Sequence, residues 1–212
     1  MKNLDVALID YGMGNLRSVK RALEVFGVKV KIVQEPEEVR ESQAIIFPGQ
    51  GAISGAMSQL RATGFDVFLK NWIFADKPFF GICLGMQLLF ENSEEGNEEG
   101  LGVFRGAVKH FPKDVGLKIP HMGWNTISIN KKNAGSFADN LSKDGKYFYF
   151  VHSYYVETSD ESIVWSTSEY GLKFVSGVRR GNVFAVQFHP EKSQEKGLLI
   201  YKNFLNSVSN RV

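Results

Sequence analysis

Pro78-Phe79-Phe80-Gly81-Ile82-Cys83-Leu84-Gly85-Met86-Gln87 is the stretch on which the fold turns. The apolar run Pro78–Ile82 predicts a buried strand leading into the cysteine, and the residues after it, Met86–Phe90, predict a helix. A Gly-x-Cys-x-Gly step between strand and helix is the thiol counterpart of a nucleophile elbow. In so tight a turn, side chains two residues to either side of the nucleophile collide, which accounts for glycine at 81 and 85. The sulfur is then expected at a helix N-terminus, where the macrodipole favours thiolate over thiol.

The sequence around this stretch alternates in the same way. Leu4–Ile9 is an apolar run ending at the turn Asp10-Tyr11-Gly12. Leu16, Val19, Leu23 and Phe26 recur at helical spacing, and Gly27 closes the helix. Val28–Val33 and Ala44–Phe47 read as strands, the second stopping at Pro48-Gly49, and Phe65–Phe74 reads as a helix. From about Val103 the texture changes. Trp124–Ile129, Tyr147–Val156, Ile163–Thr167, Phe174–Val178 and Val183–Phe188 are strand-like, with Arg179-Arg180-Gly181-Asn182 as a hairpin tip. Gly197–Val208 returns to helical spacing, and the acidic run Glu94–Gly100 reads as a solvated loop. Without repeats or a Pro/Ser-rich linker, one domain over 1–212 is expected. Its fold class is α/β: three layers, a mostly parallel central sheet with helices on both faces, and an added antiparallel part in the C-terminal half.

Composition narrows the function. The 212 residues, 43% of them hydrophobic, suffice for a sizeable core. Twenty-five Lys and Arg against twenty-three Asp and Glu leave a net charge of +2, too little to recruit nucleic acid or an anionic membrane. The single cysteine excludes an internal disulfide and a cysteine-based zinc site. Asp5 and Asp10 interrupt the apolar run a signal peptide needs, and Pro78–Phe90 falls short of the roughly 18 residues a membrane span requires. A soluble, cytoplasmic protein with a reduced thiol is expected.

A cysteine nucleophile needs a base. Of His110, His121, His152 and His189, the last is followed by Pro190 and Glu191, and proline holds His189 extended. Residues two apart in an extended chain share a side, so Glu191 is placed to accept from one imidazole nitrogen while the other faces Cys83. The Leu84 N–H is the first candidate oxyanion donor. The loop Phe47–Ala52 offers the second through Gly49 and Gln50. Gln87 lies one helical turn from Cys83, on its side, and Glu95 is a candidate for binding a substrate ammonium. The Gly12-x-Gly14 turn hints at a dinucleotide site, yet Arg17 occupies the third glycine's place and Gln34 precedes Glu35 at the end of the second strand. The histidines lack metal-ligand spacing. Trp124 and Tyr147–Phe150 read as core.

Gly81–Gln87, Pro48-Gly49-Gln50-Gly51 and Phe188-His189-Pro190-Glu191 together resemble the class-I, triad-type glutamine amidotransferases. Asp10–Asn15, Pro120–Asn125 and Tyr149–Tyr154 are similar to the branch that serves a cyclase in histidine biosynthesis, and the likeness covers essentially the whole chain. His121–Asn125 discriminates most, because the triad is common to the family. The resemblance implies that Cys83 attacks the side-chain amide of glutamine, giving a γ-glutamyl thioester and ammonia. His189 then protonates the leaving ammonia and activates water, with Glu191 orienting it. Gln87, Glu95, Ser153 and Tyr154 would hold the amino-acid end of glutamine. Ammonia would pass to a cyclase subunit of (β/α)₈-barrel fold in a heterodimer, with Asn15, Trp124 and Lys192 towards that partner and no cofactor. Gln50 departs from the small apolar residue, such as valine, expected in the oxyanion loop. Two alternatives stay open: a glutaminase feeding another acceptor, for instance in sugar modification, and a stand-alone cysteine hydrolase.

Overall fold

The computed structural model describes residues 4–114, 116–141 and 147–210, so the two ends of the 1–212 reading lie outside the described residues. The chain begins β1 (Asp5–Ile9), α1 (Leu16–Glu24), β2 (Lys29–Val33), β3 (Ala44–Gly49), α2 (Ile53–Thr63) and α3 (Phe65–Phe74). Next come β4 (Phe79–Cys83), α4 (Leu84–Gln87), β5 (Phe90–Ser93), β6 (Glu98–Glu99) and β7 (Phe104–His110). The second half runs β8 (His121–Thr126), β9 (Ser128–Ile129), α5 (Lys131–Ala134), β10 (Tyr147–His152) and β11 (Tyr154–Glu157). It ends with β12 (Val164–Glu169), β13 (Lys173–Arg180), β14 (Val183–Val186) and α6 (Gln194–Ser209). No helix among the described residues is long and apolar enough to cross a membrane.

The main sheet has the order β2-β1-β3-β4-β14-β13-β11-β7-β5-β6, with β12 and β9 attached beside β13. Its first five strands are parallel. At β13 the direction reverses and the antiparallel part begins. Within β1, Val6 and Leu8 join the core formed with Val19 and Leu23 of α1 and Ile200 and Phe204 of α6. Ala7 and Ile9 join the opposite core, with Ile53 and Leu60 of α2 and Phe65 and Leu69 of α3. Both faces of β1, β3, β4 and β14 are covered, so these strands are mostly apolar, whereas the edge strand β2 carries Lys29 and Lys31 and is largely exposed. At the centre, Phe80 packs on Phe184, Tyr201 and Phe204, with ring centroids 5.0, 5.6 and 5.3 Å away.

Strand order decides where the chemistry lies. β4 sits between β3 and β14, with Gly49 opposite Cys83 on one side and Val186 opposite Ile82 on the other. The segments following β3, β4 and β14 therefore leave the sheet at one carboxyl edge, the usual place for a site in an open α/β sheet.

Four local expectations change. Helix α2 has no counterpart in the sequence reading, although Ile53, Ala56, Met57 and Leu60 bury one face at helical spacing; Ser54, Gly55 and Ser58 between them are weak helix formers. The helix expected over Met86–Phe90 is only the four-residue α4; Phe90 instead opens β5, opposite Phe104. One helical turn carries little macrodipole, so α4 offers little of the field expected at the sulfur. Glu94–Gly100 is the tip and return strand of the β5–β6 hairpin, with Gly96 and Asn97 at positive φ. Finally, Tyr147–Val156 breaks at Ser153: β10 pairs with β8 in a separate two-stranded ribbon, while β11 joins the main sheet.

Candidate active site

Cys83 ends β4 at φ 55° and ψ −111°, a conformation that costs a residue with a side chain about 1–3 kcal/mol. Its neighbours make room for the turn. A Cβ on Gly81 would come within 2.7 Å of the Gly85 carbonyl oxygen, and one on Gly85 would collide with the Phe47 carbonyl. The elbow read from the sequence is present, and Cys83 is a buried free thiol.

β14 leads through Gln187 and Phe188 to His189, whose Nδ1 lies 2.7 Å from Glu191 Oε1, both side chains being buried. His189 Nε2 makes no hydrogen bond within normal geometry among the described residues. It faces Cys83. Burial opposes charging the ring, but the charge on the Cys83 sulfur, the hydrogen bond to Glu191 and that carboxylate's charge outweigh it and raise His189 to about 10. An imidazolium is thus held between a sulfur and a carboxylate, the arrangement an acyl-transferring cysteine needs. Behind it, Tyr201 of α6 presses its phenol towards Glu191, and burial and that carboxylate both raise its pKa.

Ser193 ties this segment to the ribbon. Its hydroxyl donates to the His189 carbonyl at 2.6 Å and accepts from the Tyr149 N–H at 2.9 Å. The His189 N–H donates in turn to the Tyr149 carbonyl at 2.9 Å.

Cys83, His189, Leu84, Gln50, Gln87, Glu95, Ser153, Tyr154 and Lys192 line one cleft of about 390 Å³. A wider groove of about 630 Å³ on the antiparallel part, bordered by Tyr155, Lys173 and Phe174, includes none of Cys83, His189 and Glu191. Gly49, the last residue of β3, lies just behind the cleft lining, and there close packing is what requires glycine: a Cβ would strike the Tyr11 hydroxyl and approach Leu84 Cβ to 2.9 Å. Backbone freedom belongs to Gly51 instead, at φ +94°. Glu95 Oε2 accepts from the Ile53 N–H at 2.9 Å, capping α2, so this carboxylate has a structural partner at the cleft wall. The Tyr154 carbonyl is likewise engaged, accepting from Gln87 Nε2 at 3.0 Å and from His152 Nδ1 at 2.7 Å.

That carbonyl dictates a set of tautomers. It can only accept, so His152 carries its proton on Nδ1 and offers Nε2 to His121 Nδ1–H, 2.9 Å away. His121 Nε2 then accepts from Asn125 Nδ2 at 3.2 Å. Burial lowers His121 to about 4 and, chiefly, His152 to about 3, so both rings are neutral links at pH 7.

Two of the residues expected to face a partner lie outside the cleft. Asn15 caps α1, accepting from the Ser18 N–H at 3.3 Å. Trp124 is 48% exposed beside Met122 and Tyr147, at 61% and 52%, which corrects its reading as core; of Tyr147–Phe150, only Phe148 and Phe150 are buried core. Lys192 places Nζ 5.6 Å from the Tyr149 ring, which meets Trp124 edge-on. Sequence reasoning passed over Gln187, Ser193, Tyr201 and the His121–His152 pair. A signal for Gln187 did exist: Gln187, His189 and Glu191 alternate with Phe188 and Pro190.

The profile of the family described as "Glutamine amidotransferase class-I" matches residues 7–208. The imidazole glycerol phosphate synthase subunit HisH of Caldanaerobacter subterraneus subsp. tengcongensis is 48% identical over 94% of this chain and 96% of its own length. The same-named subunit of Acinetobacter baylyi is 45% identical over 94% and 97%. The chloroplastic imidazole glycerol phosphate synthase hisHF of Arabidopsis thaliana is 47% identical over 95% of this chain, which spans 34% of that protein. Among solved structures, PurLQS from Thermotoga maritima superposes with TM-score 0.74 at 21% identity over 98% and 99% of the two chains, a likeness of fold.

Proposed function

The chain belongs to the class-I glutamine amidotransferase family, and from that premise we propose that it is the glutaminase subunit of an imidazole glycerol phosphate synthase. The line Cys83–His189–Glu191, with Cys83 and His189 in the cleft wall and His189 held as an imidazolium, supports the glutaminase chemistry, and the identity of 45–48% with HisH subunits over nearly the whole chain supports the synthase. Glutamine enters with its amino-acid end among Gln87, Glu95, Ser153 and Tyr154. The Cys83 sulfur adds to the γ-amide carbon, and charge moves to the amide oxygen, towards the N–H groups of Leu84 and of Gly49 or Gln50. Collapse breaks the C–N bond. The proton on His189 goes to the departing nitrogen, ammonia leaves, and a γ-glutamyl thioester remains. Water then gives a proton to His189 and adds to the thioester carbon. The C–S bond breaks, glutamate forms, and the thiolate–imidazolium pair is restored. Glu191 holds the ring in place throughout, and the chemistry asks for no cofactor.

Ammonia is handed to a cyclase subunit of (β/α)₈-barrel fold in a heterodimer. The exposed apolar group Met122, Trp124 and Tyr147 on the ribbon supports a protein partner, since such patches mark interaction surfaces. The ribbon is pinned to the His189 segment, so a partner seated there acts on the triad's own support. Lys192 stands between ribbon and cleft, and Asn15 is assigned to the partner's side on the family resemblance alone. A cytoplasmic location fits a reduced catalytic thiol. The test is the complex with its cognate cyclase. Cys83→Ala is expected to abolish glutamine-dependent synthesis while sparing synthesis driven by added ammonium at high pH. Loss of both would make the cysteine a support of fold or interface, and loss of neither would remove it from the mechanism.

A further inference from the structure

Gln187 is completely buried between β14 and His189, and its side chain is held from both ends. The Tyr154 carbonyl can only accept, so Gln87 must turn its amide nitrogen to it, at 3.0 Å. The same nitrogen donates to Gln187 Oε1, also at 3.0 Å. With its oxygen engaged there, Gln187 has only its NH₂ to present to the nucleophile, and Nε2 lies 3.7 Å from Cys83 Sγ. We propose that Gln187 is a catalytic residue outside the triad, whose amide N–H donates to the Cys83 sulfur, favours its thiolate form and aims it into the cleft.

The proposal rests on the reading of Cys83 as the nucleophile. Its physical basis is the shortage of other donors. Helix α4 is a single turn, and a hydrogen bond to a charged acceptor gains strength in a buried site. The titratable groups facing the sulfur are His189, from the segment after β14, and the Tyr11 phenol, from the end of β1. Tyr11 remains un-ionised, because burial and the Cys83 charge both raise its pKa. Gln187 differs from both in having no proton to lose at any working pH. It stabilises charge on sulfur without competing with His189 as a base. Gln87 acquires a second task in this arrangement, since its nitrogen sets which way the Gln187 amide points.

The single cysteine makes the test clean, because alkylation reports Cys83 alone. The full chain is titrated with iodoacetamide from acid to alkaline pH as wild type, Gln187→Met and Gln187→Leu. Both substitutions keep apolar bulk and remove the donor. The inflection of the rate is expected to rise by about one pH unit, slowing alkylation about tenfold on the acid side of the curve. The alkaline plateau, where thiolate forms regardless, should stay within about twofold of wild type. In the complex with the cyclase, kcat for glutamine should fall while KM holds. Superimposed alkylation profiles would overturn the proposal. So would a lowered plateau with an unmoved inflection, the mark of a packing defect. If one variant does not fold, the other carries the comparison. Glutaminase turnover surviving Cys83→Ala would instead sink the nucleophile reading, and the alkylation profiles judge Gln187 separately.

Discussion

Acidification from pH 7 to pH 5 should cost this protein about 3 kcal/mol of unfolding free energy, and the His121–His152 pair is the reason. In the folded chain these rings titrate at about 4 and about 3, against about 6.5 in the unfolded chain. For a histidine lowered in the native state, stability is present above the unfolded value and is lost as pH falls towards the folded one. Over this interval the unfolded chain takes up both protons and the folded chain refuses them, a loss of nearly 2 kcal/mol per ring, written as about 4 in total. His189 has the opposite sign. Its folded value of about 10 means that its contribution is full well below about 6.5 and is lost as pH rises from there through about 10. Acidification therefore returns slightly under about 1 kcal/mol at that residue. Urea unfolding at the two pH values reads the difference. In His121→Gln one of the two rings no longer titrates, and the loss between pH 7 and pH 5 should shrink by about 2 kcal/mol, whatever the variant's absolute stability. Equal or greater stability at pH 5, or an undiminished loss in the variant, would refute the account.

Two substitutions probe the site's supports. Gly85→Ala sets a Cβ against the Phe47 backbone carbonyl, which belongs to a central strand and has no room to yield, so thermal stability and glutaminase activity should fall together; a wild-type melting temperature would contradict this. Ser193→Ala removes the donor to the His189 carbonyl and leaves the Tyr149 N–H unpaired, an expected loss of about 1–3 kcal/mol in urea unfolding. Its kcat should fall with KM for glutamine nearly constant, because the base and not the cleft is displaced; a rise in KM alone would count against it.

The most legible parts of the sequence were those where one local constraint dominates. The runs Val6–Ile9, Ala44–Phe47 and Pro78–Ile82 are apolar without interruption because both faces of each strand are covered. Gly81 records a close approach within the turn itself, to the Gly85 carbonyl, whereas Gly85 is required by the Phe47 carbonyl of the neighbouring strand. Helix α2 escaped notice because the weak helix formers Ser54, Gly55 and Ser58 obscure the stripe Ile53, Ala56, Met57 and Leu60, and α4 was overread because Leu88–Phe90 is apolar whether it continues a helix or opens a strand. Trp124 read as core because an aromatic residue carries no mark of which side of a ribbon it faces.

By itself the sequence determined the elbow at Cys83, the extended His189-Pro190-Glu191 segment and the alternation of strands and helices, since each depends on neighbours within a few residues. Tertiary structure alone decided that β14 lies beside β4, which sets Gln187 against a sulfur 104 residues away. It also decided that the Tyr154 carbonyl would orient Gln87, His152 and, through His152, His121. Strand order and hydrogen-bond direction are properties of the closed sheet. A local pattern can name a nucleophile, but the donors that hold its charge come from wherever the sheet brings polar groups too deep for water to reach.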